Sequence, residues 1–241
     1  MTAVSVIMPF WNAGQYVGAA LRSIARQDIP VAEIIVVDQG AHDPAQVFPD
    51  ALRNTNSLKF LQIDRTDPGA ARNKALEVAT GDVVAFLDAD DLWPVGKLAR
   101  QLPRLLERDT AMVSGFTRYF SDVTEEDDLE PTAQQSVKLL MSNLGACLYR
   151  REALDRLGYF DPEFRFAEDV DLLLRVCESG MRVLTLPTVE LCYRQHQASM
   201  MHAPDPRREA DFALAARKSL VRRRKGGTVA PLKMLAQFME R

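Results

Sequence analysis

Residues 83–87, Val-Val-Ala-Phe-Leu, form a short apolar run of β-forming side chains directly after Gly81 and Asp82. A run that is apolar at every position fits a strand buried in a parallel sheet, where helices cover both faces. Three carboxylates, Asp88, Asp90 and Asp91, follow at its C-terminal end. In open α/β sheets that edge forms the ligand crevice. Carboxylates packed this closely repel one another and require a compensating charge. A hard divalent cation with oxygen ligands supplies one, and Mg²⁺ commonly shares its shell with substrate phosphates. Taken singly, an Asp-Ala-Asp is more simply a solvated acidic turn ahead of a helix. The apolar strand before it and the rest of the chain shift that balance.

The same pattern recurs upstream. Residues 4–8 read as a first strand stopped by Pro9, with a turn at Asn12-Ala13-Gly14. Val17, Ala20, Leu21 and Ile24 recur at helical spacing. Residues 33–37 form a second apolar strand ending at Asp38, before a turn-rich loop from Gln39 to Pro44. Residues 59–63 form a third strand. Asp67 and Pro68 then open a helix as cap and first helical residue, with Ala71, Ala75, Leu76 and Ala79 on one face. The order β-α-β-β-α-β with short buried strands predicts a layered α/β sheet of Rossmann-like character. Beyond Trp93, Leu98, Leu102, Leu105 and Leu106 mark a helix, residues 111–116 a strand, and 120–131 an acidic loop. Residues 144–149 read as extended, 151–157 as a helix closed by Gly158, and 183–186 as the last strand. Composition changes at Pro204, where helices over 208–224 and 231–239 flank Gly226-Gly227. The chain therefore divides into a domain over 1–203 and a helical extension over 204–241.

With 241 residues, 47% of them hydrophobic and 26% charged, the chain can bury a large core. A net charge of -3 gives no drive toward nucleic acid. No apolar run is long enough to span a bilayer, and residues 1–10 lack the basic start and apolar core of a signal peptide. The expected compartment is the cytoplasm. Cys147, Cys177 and Cys192 have no paired metal-ligand spacing and read as reduced, packed thiols.

A second acidic group spans Glu168, Asp169 and Asp171. Asp169, Leu172, Leu173 and Val176 share one helical face, so Asp169 heads an apolar stripe at a helix N-terminus, where a carboxylate is electrostatically favoured. Held at a crevice edge, it is a candidate general base. The plainer account is an acidic first turn, with Asp171 and Arg175 as an exposed i,i+4 pair. Asp38 ends a strand as Asp88 does and would open onto the same edge, although a turn-forming Asp accepts backbone hydrogen bonds equally well. Arg72 and Asn73 are placed to reach a base, ribose or phosphate, or are surface helix residues. His196, in Tyr-Arg-Gln-His at 193–196, is a candidate metal or diphosphate ligand, though a lone loop histidine is usually neither. The run Arg222-Arg223-Arg224-Lys225 suits anionic lipid or is a solvated helix end.

In their order, these motifs resemble the inverting family 2 glycosyltransferases of GT-A fold across residues 4–199. The opening strand and loop through Asn12 are similar to that family's, as are residues 16–27 in the helix after them. So are the strand ending at Asp38, Gly69-Ala-Ala-Arg-Asn73 followed by Ala79-Thr-Gly-Asp82, the acidic run from Phe86 to Trp93, and Gly158-Tyr-Phe-Asp161 with Glu168-Asp-Val-Asp-Leu172. The resemblance implies an α/β GT-A fold: a mixed, mainly parallel sheet flanked by helices, here with a helical C-terminal tail. It assigns Pro9, Asn12, Asp38 and Arg72 to the nucleotide and Asp88 to the ribose or metal. Asp90 would bind Mn²⁺ or Mg²⁺, with His196 as a metal or diphosphate contact. Asp169 would be the catalytic base, with Glu168 and Trp93 on the acceptor side. The implied reaction moves a sugar from a nucleotide-diphosphate sugar, UDP favoured, to a saccharide, lipid-linked or other hydroxyl acceptor, with inversion. The Gln-X-X-Arg-Trp motif and membrane helices of processive synthases are missing, which implies single addition.

One departure is Gln39, where the family usually has a second Asp in Asp-Asp-Gly-Ser; here the run is Asp38-Gln39-Gly40-Ala41. It keeps open a non-catalytic sugar-nucleotide-binding or partner-recruiting protein on the same scaffold. A nucleotidyltransferase would show a Gly-rich phosphate loop with a following Lys near the N-terminus, and residues 9–12 offer none. For the C-terminal helices two expectations stand: pairing in a homodimer, or peripheral contact with the inner membrane face.

Overall fold

Strand β1 (Val4–Phe10) is apolar on both faces and lies inside the sheet. The structure, a computed structural model, describes residues 2–11, 13–40, 42–43, 58–120, 139–140, 143–196 and 205–225. Strands β2 (Glu33–Asp38) and β4 (Val83–Phe86) flank β1, and β3 (Leu58–Gln62) lies outside β2, all parallel. Beyond β4 the sheet becomes mixed. β7 (Leu148–Arg150) runs antiparallel to β4 and to β5 (Thr110–Phe120), and the short β6 (Leu139–Leu140) is antiparallel to β5. β8 (Arg182–Arg194) runs parallel along β5, giving the order β3-β2-β1-β4-β7-β5-β6 with β8 beside β5.

Successive residues of β1 point to opposite faces and so feed two cores. Val6, Met8 and Phe10 pack with Val17, Leu21 and Ile24 of α1 (Gly14–Ala25) and with Leu98 and Leu102 of α3 (Lys97–Leu105). Ile7 packs on the other face with Ile35, Val37 and Phe86. That core also holds Ala71, Ala75 and Leu76 of α2 (Pro68–Val78), Leu154 of α4 (Arg151–Leu157), and Leu172 and Val176 of α5 (Glu168–Glu178). The last helix among the described residues, α6 (Arg207–Lys225), lies against α5. None of the three cysteines forms a disulfide, and Cys147 and Cys192 are buried. No helix among the described residues is long and apolar enough to cross a membrane.

Several expected boundaries move for physical reasons. Pro9 does not stop β1. Ile7 turns its carbonyl to Leu87 on the β4 side, so Pro9 faces the same way, beyond the last paired residue of β4, where no ladder N–H is needed. β8 continues eight residues past 186. The register slips between Ser114 and Phe116 of β5, and the extra residues opposite form a bulge that takes in Pro187. Residues 144–146 form a 3₁₀ turn rather than extended chain, with the Asn143 side chain accepting from Gly145 N. Leu106 lies just past α3 and is exposed. Asp67 occupies the cap position of α2 without a side-chain cap bond. The expected acidic loop after Phe120 and the second C-terminal helix lie outside the described residues.

Candidate active site

Because β1, β2 and β4 are parallel, their C-terminal ends share one edge, which places Pro9, Asp38 and Asp88 there. Helix α2 delivers Arg72 to the same region. Arg72 is 5% exposed, and its guanidinium bridges two acidic segments. Nη2 donates to Asp88 Oδ1 at 2.7 Å and Nη1 to Glu168 Oε1 at 2.7 Å. Burial works against its charge, but the Asp88 and Glu168 carboxylates more than offset this and hold its pKa above the usual arginine value. Arg72 is therefore a buried tie and not a surface helix residue. Asn73 is engaged within the fold. Its amide exchanges two hydrogen bonds with the backbone of Phe160, at 2.8 and 2.9 Å.

The acidic loop after β4 is held by β8. Leu92 and Cys192 exchange backbone hydrogen bonds at 3.0 and 2.9 Å. The fully buried Asp91 accepts from Arg194 N at 2.9 Å, and Arg194 Nε donates to the Asp90 carbonyl at 2.9 Å. The Arg194 guanidinium lies 4.5 Å from the Tyr16 ring and 4.6 Å from the Phe120 ring. Two residues past β8, His196 Nε2 sits 2.9 Å from Asp90 Oδ2, with its ring 4.9 Å from that of Tyr16. Burial and the neighbouring Asp88 raise the pKa of Asp90; burial, Asp90 and Asp88 raise that of Asp91 further.

No three His, Cys, Asp or Glu residues converge into a ready metal cage among the described residues. The residues present nonetheless fit a hard divalent cation. Asp90 and His196 bring a carboxylate and an imidazole together, the buried His196 Nδ1 has no hydrogen-bond partner among the described residues, and the crowded carboxylates raise the pKa of Asp90. Such an ion completes its shell from water and phosphate oxygens.

Helix α5 carries the second acidic group. It starts after Ala167, a non-glycine residue at φ 63°. Asp169 is half-buried, and its Oδ1 accepts from Val170 N at 2.7 Å. Burial and the adjacent Glu168 push its pKa up to about 7. Arg72 thus links Asp88, at the mouth of the parallel sheet, to the helix turn bearing Asp169.

Other expected site residues take different places. Trp93 is 1% exposed, packed in the core beneath Lys97 Nζ at 5.3 Å, so it is not presented to an acceptor. Glu168 is buried against Arg72 and orients that guanidinium instead of facing solvent. Asp171 and Arg175 do pair at 2.8 Å, but Asp171 is 1% exposed and also binds Arg222 at 2.9 Å, so the expected exposed pair is buried. Asp38 is fully buried. Its oxygens accept from Gly40 N, His42 N and His42 Nδ1 at 2.7–2.9 Å, so it orders its own loop. The His42 ring lies where a side chain on Gly40 would sit, which explains the glycine. Gln39 Oε1 accepts from Thr66 N at 2.9 Å, which gives the unusual residue a structural task. Asn12 lies outside the described residues.

Sequence reasoning placed Asp91 in the acidic run but not its tie to β8, and gave no role to Arg194 or Tyr16. Arg194 and His196 are alternate residues at the end of a long strand, so reading β8 to its full length would have exposed them as a pair.

The family profile described as glycosyl transferase family 2 matches residues 5–158. A putative teichuronic acid biosynthesis glycosyltransferase of Bacillus subtilis, TuaG, is 31% identical over 185 residues, covering 73% of each protein. WfgD of Escherichia coli, a UDP-Glc:alpha-D-GlcNAc-diphosphoundecaprenol beta-1,3-glucosyltransferase, is 28% identical over 202 residues, covering 82% of this chain and 79% of WfgD. In fold, the chain is similar to S. aureus TarS 1-349 solved in complex with UDP-GlcNAc, with TM-score 0.70 and 24% identity, over 91% of this chain and 66% of that one. A family match over most of its length, with a relative 31% identical across nearly three quarters of it, shows that the chain belongs to glycosyl transferase family 2 and is a glycosyltransferase of GT-A fold.

Proposed function

We propose that the chain transfers a single sugar from a UDP-sugar to an acceptor hydroxyl, with inversion and with dependence on Mn²⁺ or Mg²⁺. The observation that carries this reading is the Arg72 bridge, which ties the acidic loop and the helix turn of Asp169 into one electrostatic unit. The names of WfgD, which takes UDP-Glc, and of the TarS complex with UDP-GlcNAc favour UDP as the nucleotide. They also favour a lipid-linked or polymer acceptor.

In this mechanism Asp90 and His196 would hold the ion, which would supply Lewis-acid neutralisation of the diphosphate. Arg72 keeps Asp88 turned toward the ribose side of the donor. Asp169 takes the proton from the acceptor hydroxyl as that oxygen bonds to the anomeric carbon. The bond from that carbon to the diphosphate oxygen breaks on the opposite face and the carbon inverts. A carboxylate with a pKa of about 7 is matched to this task, being about half ionised near neutral pH yet far more basic than an ordinary aspartate. Asp38 and Pro9 line the nucleotide side, Asp38 through the loop it orders.

We place the catalytic unit at residues 1–203 and assign 204–241 as an extension that meets the membrane from the cytoplasmic side. Support comes from the outer side of α6, where exposed Phe212, Leu220 and Val221 accompany Arg217, Arg224 and Lys225.

Asp169→Asn tests the mechanism. Turnover should fall by about 10²–10⁴-fold, with UDP-sugar affinity almost unchanged in calorimetry with Mn²⁺. Wild-type turnover in that variant would remove Asp169 from the role. A binding module on this scaffold would release no free UDP from any UDP-sugar, even with Mn²⁺ present.

A further inference from the structure

Helix α6 attaches to the molecule in an unusual way. Its buried stripe is Asp211, Ala215 and Ser219, small and polar where a docking helix is normally apolar. The bonds along that stripe and its flanks fall on residues 161–178, the stretch that carries Glu168 and Asp169. Asp211 is 5% exposed, and its Oδ2 accepts from both Arg165 N and Phe166 N, at 2.9 and 2.8 Å. Lys218 binds Asp161 at 2.6 Å and Glu163 at 2.5 Å. Arg222 binds Glu178 at 2.6 Å and Asp171 at 2.9 Å, and Ser219 donates to Glu178.

The two amides held by Asp211 immediately precede Ala167. That residue sits in the left-handed region at φ 63°, ψ 15°, a conformation an alanine keeps only when its surroundings impose it. Here the surroundings are the Asp211 clamp on one side and the packing of Ala167 with Phe164 and Ala215. The Ala167 carbonyl accepts the first helical bond of α5, from Asp171 N at 2.9 Å. The next two residues are Glu168, which must meet Arg72 at 2.7 Å, and Asp169. Little slack exists at this point. A Cβ on Gly69 would lie 3.2 Å from Glu168 Cγ, so α2 already touches the Glu168 side chain.

We propose that α6 is a positioning element of the catalytic site and that Asp211 is its positioning residue: the buried carboxylate clamps the 165–166 turn, imposes the left-handed Ala167 and so sets where α5 presents Asp169. This rests on the reading of Asp169 as the base. It makes the C-terminal helix part of the active-site scaffold, whatever else its outer face contacts. A displacement of about 1 Å in a reacting group is enough to cost about 100-fold in rate.

The test compares Asp211→Ala, Asp211→Asn, Asp211→Glu and Lys218→Ala in the full chain. UDP-glucose and UDP-GlcNAc are run in parallel with Mn²⁺, and free UDP is measured alongside hydrogen exchange over residues 160–172. In Asp211→Ala, exchange over 160–172 should speed up and kcat should fall about 10- to 100-fold, with donor KM changed less than about 3-fold. Asn keeps an oxygen able to accept both amides and should restore kcat to within about 3-fold of wild type. Glu keeps the charge but pushes the turn by one methylene, so kcat should fall even in a folded protein; this variant decides the matter if Ala does not fold. Lys218→Ala weakens the same helix without removing an acceptor from the Arg165 and Phe166 amides, and should lower Tm with kcat retained. Wild-type kcat in both Asp211→Ala and Asp211→Glu, or an equal loss in Lys218→Ala, overturns the proposal. Asp169→Asn in the same series separates the two readings. If it turns over normally, the base assignment fails by itself, and the exchange result for Asp211→Ala still decides whether the clamp exists.

Discussion

The carboxylates of strand β2 and those of the acidic groups joined by Arg72 behave oppositely. Glu33 opens β2 and is 3% exposed. It accepts from Ser5 Oγ at 2.5 Å and Thr80 N at 2.6 Å, and pairs with Lys59 at 2.5 Å. Burial alone would raise its pKa, but Lys59, Ser5 and Thr80 outweigh that and pull it down to about 2. Asp38, at the other end of the strand, is likewise held below its usual value against burial by His42, Gly40 and Gln62. Asp90, Asp91, Glu168 and Asp169 all lie above theirs, because burial and neighbouring carboxylates exceed the donors each one has. The first set is saturated with donors and holds the fold together. The second is left short of positive charge in the place where a cation and a proton are to be handled, the pattern expected of a working site.

This contrast predicts that neutralising the second set costs activity and little stability, while neutralising the first does the reverse. The largest effect is expected at Asp90. Asp90→Asn should lower turnover by about 10²–10³-fold and remove the Mn²⁺ dependence of donor binding. Its metal-free melting temperature should hold or rise, because the substitution relieves repulsion from Asp88. Donor affinity in calorimetry that responds to Mn²⁺ as in wild type would count against the assignment.

Glu33→Gln is the converse. A folded pKa of about 2 against an ordinary 4.5 means the ionised group stabilises the fold above pH 4.5. That contribution fades as pH falls toward 2. Gln should cost roughly 3 kcal/mol at pH 7 and much less near pH 2. Urea midpoints at several pH values read this directly, and kcat per folded molecule should stay near wild type. Equal losses at both ends of the pH range would show that Glu33 acts by shape and not by charge.

Legibility in the sequence followed the same division. The parallel half was readable because its strands are apolar at every position, a pattern set by burial on both faces. The carboxylate positions at their ends followed from strand direction alone. What escaped depended on the antiparallel half. β8 looked finished at Leu186 because a bulge absorbs Pro187, and the Arg194 and His196 contacts were hidden with it. Trp93 looked available beside an acidic loop, but the chain turns it inward, where Ser23 Oγ accepts from its backbone N–H. Asp171 looked exposed because its second partner, Arg222, lies 51 residues away on α6. No local pattern encodes a partner that distant.

The smallest expected effect concerns a single charge inside the second set. Glu168 lies next to Asp169, and its carboxylate helps to raise the pKa of Asp169, while Arg72 lowers it. Glu168→Gln removes the first influence and keeps an oxygen that accepts from Arg72. It also leaves Arg72 less neutralised, so that guanidinium acts more strongly on Asp169. Both changes have the same sign. The acid limb of the kcat profile, rising through about pH 7 in the wild type, should move to lower pH by about one unit. Arg72→Met acts in the opposite sense, moving the limb upward, and additionally costs stability of about 3–5 kcal/mol by leaving Asp88 and Glu168 without their shared cation. Two variants on either side of one bond should thus displace one pH profile in opposite directions. A profile that stays fixed in both, in enzymes that still turn over, would mean that the ionisation limiting the rate is not that of Asp169.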